Sequence, residues 1–423
     1  MNTNSKAAEK VVVLGAGISG LSVAWLLSKR GLTPTIIEAE AHTGGLSRTF
    51  HWHGIPCDIA PHRLHTHNET ILQLLKGLLP LREHRRNSRI LMAGKTILDP
   101  INPIELCLRF PPKVTMGLVK GFLTRPKLNP SSFKSLALSR YGRGLYDFFF
   151  EPYTKKMFGV PPECISVIWG QEKLRASGLF DVLKRNSKTF FRTFFYPESG
   201  GYGAIAETME KEVKGEIQLG SKVVGLALNG NRIESVDIQR GDQAVRVACD
   251  RVFSTLPATV LAALFGQRLN LRFRKIQLVY LHILKNRVMP YHWVYFGDGD
   301  VVINRMAEFK NFHPGEGPEG STVLCAEVTA DTQTPVEDVL GALHRYRLVR
   351  KEQIDEILVL KETYAYPVYD RGFEEERTKA DAFFSRFTNL HRVGRNAEFR
   401  HIELDEDLES ALEIVRNIYG DAA

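Results

Sequence analysis

The stretch VVVLGAGISG, residues 11–20, decides the fold that we predict for this chain. Its β-branched first part predicts a buried strand, and the residues from Ser19 to Arg30 predict a helix that ends at Gly31. A second predicted strand, residues 35–37, ends at the acidic Glu38. Strand, glycine-rich turn, helix and strand in this order form a βαβ unit, which is typical of an α/β fold.

The glycines of this stretch have the spacing of a dinucleotide-binding fingerprint. Gly15, Gly17 and Gly20 form GxGxxG between strand and helix, and Glu38 follows 18 residues after the last of them. The first glycine permits the tight turn, the second lets the backbone approach a pyrophosphate, and the third lets the helix pack closely on the strand. The helix N-terminus stabilises phosphate charge, and the acid accepts hydrogen bonds from ribose hydroxyls. The fingerprint alone is compatible with FAD and with NAD.

Length and composition indicate a globular protein of more than one domain. The chain has 423 residues, of which 43% are hydrophobic and 25% charged, and its formal net charge is +8. The cysteines lie far apart without a CxxC pair, which predicts a reduced protein with neither disulfides nor a zinc site. The polar N-terminus lacks an apolar signal segment, so we expect a cytoplasmic location.

Changes of residue pattern along the chain predict a discontinuous nucleotide-binding domain with an inserted α+β substrate domain. Apolar and basic residues at helical spacing, interrupted by prolines, predict mainly helices in the first inserted piece. Alternating residues 215–247 and apolar runs between residues 272 and 330 predict strands. The predicted nucleotide-binding segments are 1–95, 196–270 and 351–423, and the predicted substrate-domain segments are 96–195 and 271–350.

The excess of positive charge could serve an anionic small-molecule substrate, a membrane surface or a nucleic acid. The densest basic run, residues 82–89, has no interleaved aromatic side chains, and we expect no nucleic-acid binding. The segment from Ile104 to Leu123 is apolar with basic residues in between, which fits packed core helices, a substrate tunnel or a lipid-facing surface. Peripheral association with a membrane is therefore an alternative to a purely cytoplasmic protein, and the oligomeric state is left open.

A second glycine-rich segment, EAEAHTGGLSR (residues 38–48), carries a resemblance to a known family. With it, the chain resembles the superfamily of FAD-dependent amine oxidases, phytoene desaturases and protoporphyrinogen oxidases. The resemblance implies FAD as the cofactor and a Rossmann-type, glutathione-reductase-like FAD-binding domain. The cofactor-binding residues that it implies are Gly15, Gly17, Ser19, Gly20, Glu38, Gly45, Leu46, Arg48, Val223, Arg395, Asp405 and Leu408.

Further motifs are similar to those of UDP-galactopyranose mutases and their protoporphyrinogen-oxidase-like bacterial relatives. They are CDIAPHRLHT (57–66), EPYTKKMFG (151–159), FYP with a following glycine pair (195–201), NRMAEFK (304–310), YPVYD (366–370) and GRNAEFR (394–400). By this resemblance Arg305 would hold a substrate diphosphate. Three positions depart from the mutase pattern: Phe158 stands at an indole position, Lys173 or Arg175 near an arginine, and His401 at a tyrosine. Lysine is a point charge and cannot fork onto a phosphate as arginine does.

The resemblance leaves three functions open. The first is an FAD-dependent oxidoreductase that transfers a hydride from an organic small molecule to the flavin. The alternative is a mutase-like, non-redox flavin isomerase of a nucleotide sugar, and the third is a flavin-binding protein without catalysis. The residues predicted to face the substrate are His62, Tyr153, Lys173, Arg305, Tyr366 and His401.

Three histidines near the first mutase-like motif raise the question of a metal. His62, His65 and His67 are spaced like neighbours on a strand. No carboxylate or cysteine cluster accompanies them, and such side chains usually complete a histidine metal site. We therefore predict no metal.

Overall fold

A computed structural model describes residues 9–127, 129–173 and 193–421 of the chain. The α-helices are α1 (Ile18–Ser28), α2 (Glu69–Leu78), α3 (Pro103–Arg109), α4 (Pro112–Leu123), α5 (Phe133–Leu145), α6 (Glu151–Phe158), α7 (Val167–Lys173), α8 (Ala204–Glu212), α9 (Ala258–Leu264), α10 (Pro335–Arg345), α11 (Phe373–Phe384) and α12 (Leu404–Tyr419). The first strands are β1 (Val11–Leu14), β2 (Thr35–Ile37), β3 (Thr49–Trp52), β4 (Ile55–Asp58), β5 (Leu81–Arg85), β6 (Ser88–Met92), β7 (Lys95–Leu98), β8 (Thr193–Pro197), β9 (Ile217–Gln218) and β10 (Ser221–Asn229). The remaining strands are β11 (Arg232–Arg240), β12 (Gln243–Ala248), β13 (Arg251–Ser254), β14 (Phe273–Ile283), β15 (Trp293–Phe296), β16 (Ile303–Glu308), β17 (Thr322–Val328), β18 (Ile354–Pro367) and β19 (Leu390–Arg392).

The nucleotide-binding sheet is parallel and has the strand order β19-β13-β1-β2-β9. β1 lies at its centre, and its four side chains are buried, as a parallel strand with both faces covered requires. α1 follows it directly and is buried along its whole length. The predicted α/β class is therefore confirmed. The helix runs from residue 18 to 28, close to the predicted 19–30, and Gly31 in the left-handed region lies just beyond its end.

The second large sheet has seven strands in the order β18-β14-β17-β16-β15-β6-β7. β14 pairs antiparallel with β17 on one side and with β18 on the other. The described part of residues 96–195 is mainly helical, with α3 to α7. β6 and β18 come from segments that the sequence assigned to the nucleotide-binding domain, so the sheets do not divide the chain at residues 95 and 350. The sequence of β18 does not show the apolar pattern of a buried strand, because its charged residues occupy positions that are partly exposed to solvent.

His292 lies in a buried aromatic cluster beside the seven-stranded sheet. Its ring centroid is 5.0 Å from that of Phe194, 5.1 Å from Phe312 and 5.6 Å from His84. Burial is the main cause that lowers the pKa of His292 to about 4, and the charge of the neighbouring His84 contributes to the same shift. The folded protein thus holds this imidazole neutral.

Replacing His292 with phenylalanine should weaken the acid sensitivity of the fold. Because the folded-state pKa lies below the unfolded value, the unfolded chain binds more protons between pH 4 and 6.5. The stability contributed by the neutral ring is thus lost as the pH falls through this window. We expect the free energy of unfolding to change with pH by up to about 3 kcal/mol less in the variant. Urea unfolding at both ends of the window measures this, with His344→Phe as the exposed control. An unchanged pH slope would contradict the assignment.

Candidate functional site

A cavity of about 880 Å³ lies where the carboxyl end of β1 meets the seven-stranded sheet. Its size is that of a small-molecule or cofactor site. The predicted residues that line it are Gly15, Gly17, Ser19, Glu38, Gly45, Leu46, Arg48, His62, Tyr153, Val223, Arg305, Tyr366, Arg395 and His401. The structure thus brings the predicted cofactor and substrate residues to one place, with the exceptions given below.

The fingerprint loop forms a cradle in which a side chain at Gly15 or Gly20 would collide with neighbouring atoms. Gly15 has a φ of +100°, and a Cβ there would lie 2.3 Å from Thr255 Oγ1. Gly20 does not line the cavity, but a Cβ on it would lie 2.0 Å from the carbonyl oxygen of Gly15. Gly17 is the N-cap of α1, so the backbone N–H groups of that helix N-terminus can meet an anionic group. This loop fits the pyrophosphate of a dinucleotide.

Glu38 ends β2 and is held beside the loop. Its Oε2 accepts a hydrogen bond of 2.7 Å from Ala16 N, and its Oε1 accepts one of 2.9 Å from Glu40 N. Each carboxylate oxygen has a further lone pair, so Glu38 can also accept from ribose hydroxyls. The position is compatible with the ribose-binding role that the sequence predicted for Glu38, which stays a prediction.

The second glycine-rich loop packs directly on the first. Gly44 N donates to Ala16 O over 2.8 Å, and a Cβ on Gly45 would lie 3.1 Å from Gly17 Cα. The Arg48 guanidinium donates from Nη1 to Gly45 O at 2.7 Å and pairs through Nη2 with Glu362 at 2.8 Å. Arg48 therefore braces this loop against β18 while it lines the cavity.

The C-terminal end of the chain closes the cradle through Asp407. Its Oδ1 accepts hydrogen bonds from Ser19 Oγ at 2.9 Å and from Arg395 N at 3.1 Å, and burial raises its pKa to about 6. The sequence placed Asp405 and Leu408 here instead. Neither lines the cavity, because α12 begins at Leu404 and its register turns residues 404 and 407 toward it. Leu408 is fully buried in the core beside α1.

Arg305 and Glu327 form a buried ion pair in the wall of the cavity. They lie opposite each other on β16 and β17, and Arg305 Nε donates to Glu327 Oε2 at 2.9 Å. Glu327 Oε1 accepts from Asn304 Nδ2 at 2.9 Å and from Tyr366 Oη at 3.2 Å. Among the described residues, Nη1 of Arg305 has no hydrogen-bond partner. The Glu327 carboxylate, with 0% exposure, holds the guanidinium of Arg305 in place and leaves its Nη1 amino group for a ligand.

Sequence reasoning missed Glu327 because it lies in the apolar run of β17 and gains its meaning only from its strand neighbour. It also missed Arg63, which lines the cavity with its guanidinium carbon 5.2 Å from the Trp293 ring. Lys173 is the last described residue of α7, and its side chain lies outside the described part of the chain, as does Arg175. Arg63 is a further cation of the wall, and it lies close enough to Arg305 and Tyr295 for their charges to act on it.

Aromatic side chains complete the wall. Tyr153 stacks on Phe149 with centroids 5.4 Å apart, and Tyr366 stacks on His401 at 5.6 Å. Burial raises the pKa of both tyrosines, so their hydroxyls remain neutral donors. Phe158, which stands at an indole position of the mutase pattern, is buried in the core. Trp169 lines the cavity instead, edge-on to His401 at 4.6 Å.

His62 is a neutral imidazole in this wall. Burial, together with the charges of Arg305 and Arg395, lowers its pKa to about 3. Its Nδ1 lies 3.1 Å from the carbonyl oxygen of Ala60, which requires the proton on Nδ1 and leaves Nε2 as an acceptor. Ala60 has a φ of +63°, a strained conformation that aims this loop into the cavity.

One histidine cluster among the described residues lies away from the cavity. His53, His282 and Asp355 bring ligand-type atoms within 4.8 Å of one another. The two imidazole rings are stacked 3.7 Å apart with planes 3° from parallel, so their in-plane lone pairs do not converge on one point. His282 Nδ1 and His53 Nε2 each lie 2.8 Å from a carboxylate oxygen, of Asp355 and Glu356 respectively. The absence of a metal site therefore stays a prediction.

The chain belongs to the family described as flavin containing amine oxidoreductase, whose profile matches residues 18–338. This membership confirms the resemblance drawn from the motifs and identifies the chain as a member of a family of flavin-dependent enzymes with FAD as cofactor. The glycine cradle and Glu38 fit that cofactor. Among the described residues, no helix has both the length and the apolar character needed to cross a membrane.

Mutases are prominent among the similar proteins. The dTDP-fucopyranose mutase of Escherichia coli is 24% identical over 418 residues, which cover 96% of this chain and 97% of that protein. The mitochondrial protoporphyrinogen oxidase of Nicotiana tabacum is 26% identical over 270 residues, covering 55% of this chain and 53% of that protein. The structure of reduced UDP-galactopyranose mutase matches with a TM-score of 0.84 at 20% identity, covering 97% of this chain and 96% of the other. This structural likeness shows a shared fold.

Proposed function

We propose that this protein is an FAD-dependent mutase that interconverts the pyranose and furanose forms of a nucleoside diphosphate sugar. The observation that carries the proposal is the buried Arg305–Glu327 pair, which presents a guanidinium in the same cavity as the FAD cradle. The similarity to dTDP-fucopyranose mutase along nearly the whole chain supports it. This proposal takes the non-redox alternative of the sequence analysis over the hydride-transfer hypothesis.

The reaction is an isomerisation, so it needs a leaving diphosphate to be held in place and then returned. When bound and reduced, the flavin supplies a nucleophile for the anomeric carbon, with no net transfer of electrons to or from the sugar. Arg305 binds the diphosphate and stabilises the charge that develops on it as the anomeric C–O bond breaks. Its pairing with Glu327 fixes the guanidinium before the substrate arrives, which lowers the cost of reorganisation.

The neighbouring polar groups orient the sugar and its leaving group. Tyr153 offers a neutral hydroxyl to phosphate or sugar oxygens, because burial keeps its pKa high. The neutral hydroxyl of Tyr366 donates to Glu327 and so helps to hold the ion pair in place. His62, neutral and with Nε2 as an acceptor, can take a hydrogen bond from a sugar hydroxyl. Arg63 adds positive charge for the anionic substrate. Residues of both sheets and of α6 thus line the cavity in which the proposed substrate would lie.

Hydride transfer from an organic substrate is the second candidate. Membership of the amine oxidoreductase family and the partial match to a protoporphyrinogen oxidase favour it. Hydride transfer does not require a side chain that holds a phosphate. It therefore leaves the Arg305–Glu327 pair, whose burial costs desolvation energy, without a role in the reaction. We therefore place it second.

Incubation of the dithionite-reduced protein with nucleotide sugars tests the proposal. dTDP-fucopyranose and UDP-galactopyranose are the substrates to use, and chromatography separates pyranose from furanose products of unchanged mass. We expect interconversion of at least one of them by the reduced protein and none by the oxidised protein. If neither sugar gives a furanose product, with bound FAD verified, the result would contradict the proposal.

A further inference from the structure

The helices α3 and α4 carry an unusual concentration of exposed apolar side chains. Half of the large hydrophobic side chains that are exposed in the described chain belong to residues 104–123. They are Ile104 at 59% exposure, Leu108 at 82%, Met116 at 65%, Val119 at 46% and Leu123 at 73%. Such a concentration of exposed apolar side chains on two consecutive helices is typical of an interaction site. We call these five residues the α3–α4 surface.

The geometry of α4 separates this surface from the side that packs. Met116, Val119 and Leu123 recur at intervals of three and four residues and so form one stripe along the helix. The opposite side is anchored on α5, where a Cβ on the buried Gly121 would lie 2.3 Å from Gly144 N. The helix is therefore fixed on the protein by its glycine side while the apolar stripe faces solvent.

Basic residues flank the apolar stripe. Between residues 101 and 127 the chain has a single acid, Glu105, which pairs with Arg109 at 2.8 Å. The basic residues of the same segment are Arg109, Lys113, Lys120, Arg125 and Lys127. Five cations and one anion give this segment a net charge of +4, half of the formal +8 of the chain. Lys113 and Lys120 lie seven residues apart, on one edge of the stripe.

We propose that the α3–α4 surface docks onto an anionic lipid membrane, with the helices lying in the plane of the interface. The apolar side chains would enter the boundary between head groups and acyl chains, and the lysines would contact acidic head groups. Positive charge beside the stripe selects this partner over a second copy of the chain, since two such surfaces would repel each other. The inference goes beyond the proposed function and does not depend on it.

The surface also lies near the cavity. Phe149, which lines the cavity, belongs to the same cluster of packed side chains as Leu118 on the inner side of α4. Docking at the α3–α4 surface would therefore bring this side of the substrate cavity close to the membrane.

Flotation of the FAD-loaded protein with vesicles tests the proposal. We expect binding to phosphatidylcholine vesicles that contain phosphatidylglycerol, weaker binding at high salt, and little binding to pure phosphatidylcholine. The double variant Leu108→Glu/Leu123→Glu should partition about 100-fold more weakly, because it removes apolar area and adds charges that acidic lipids repel. Its FAD content should equal that of the wild type.

The matched control is Leu228→Glu/Val245→Glu, which changes two exposed apolar residues, at 45% and 43% exposure, on the β10–β12 hairpins. This control should float like the wild type. Three outcomes would overturn the proposal: no binding of the wild type to anionic vesicles, equal loss of binding in the control, or a lipid-free dimer that the Leu108→Glu/Leu123→Glu variant converts to monomer. The last outcome would assign the surface to a second copy of the chain.

Discussion

Arg305→Ala should lower kcat/KM for the nucleotide sugar by at least about 100-fold, because the variant removes the guanidinium that binds the diphosphate as its charge develops. Removing one partner also leaves Glu327 buried and unpaired, at a cost of about 3–5 kcal/mol in stability. The second variant, Arg305→Lys, keeps a cation for Glu327 but loses the fork, and we expect about 10-fold to 100-fold lower kcat/KM with FAD retained. Initial rates with the reduced enzyme and unfolding curves measure the two effects separately.

Arg274→Lys provides the matched control for Arg305→Lys. Arg274 is another buried arginine of the seven-stranded sheet, and it pairs with Asp331 at 3.0 Å outside the cavity wall. This control should lose stability without a comparable loss of kcat/KM. Equal kcat/KM for wild type and Arg305→Lys would show that the guanidinium of Arg305 does not hold the diphosphate.

Gly20→Ala should abolish or strongly weaken the binding of FAD, by at least about 10-fold in affinity. The added Cβ would lie 2.0 Å from the carbonyl oxygen of Gly15, a backbone atom that can move only if the phosphate-binding loop moves. The flavin-to-protein absorbance ratio after purification, and titration of flavin-stripped protein with FAD, measure the effect.

Gly77→Ala is the control for this prediction. Gly77 lies in α2, and a Cβ there would meet no atom within 4 Å. Alanine is the better helix former, so the control should retain FAD and gain about 0.5–1 kcal/mol of stability. Full FAD occupancy with unchanged affinity in Gly20→Ala would mean that the fingerprint loop is not the pyrophosphate cradle.

The cofactor half of the site was predictable from sequence because its determinants are local. The glycines that permit the tight turn and the close packing of helix on strand have fixed spacings along the chain, and so does the acid at the end of the next strand. The connection between Ser19 and Asp407 was only partly predictable. The run of acids at the start of α12 gives no register, and an error of two residues in a helix start turns a different carboxylate inward.

The substrate half depended on contacts between distant segments. Glu327 is an acid within an apolar strand, and only the pairing of β16 with β17 shows that it neutralises Arg305. Trp169, from a helix that follows Phe158 in sequence, lines the cavity and packs edge-on against Phe158, a contact that no local pattern indicates. β18 was missed because its charges stand in adjacent pairs, at residues 355–356 and 361–362, and break the alternation expected of a strand, yet it forms the edge of the seven-stranded sheet.

The most direct test of the central claim is to follow the flavin absorbance during anaerobic turnover of the reduced protein with a nucleotide sugar. We predict many turnovers from pyranose to furanose while the flavin stays reduced and no further reductant is consumed. Oxidised protein mixed with the same sugar should keep its flavin band. Bleaching of the oxidised flavin by the sugar, with one oxidised product formed for each flavin reduced, would contradict the mutase account and establish hydride transfer.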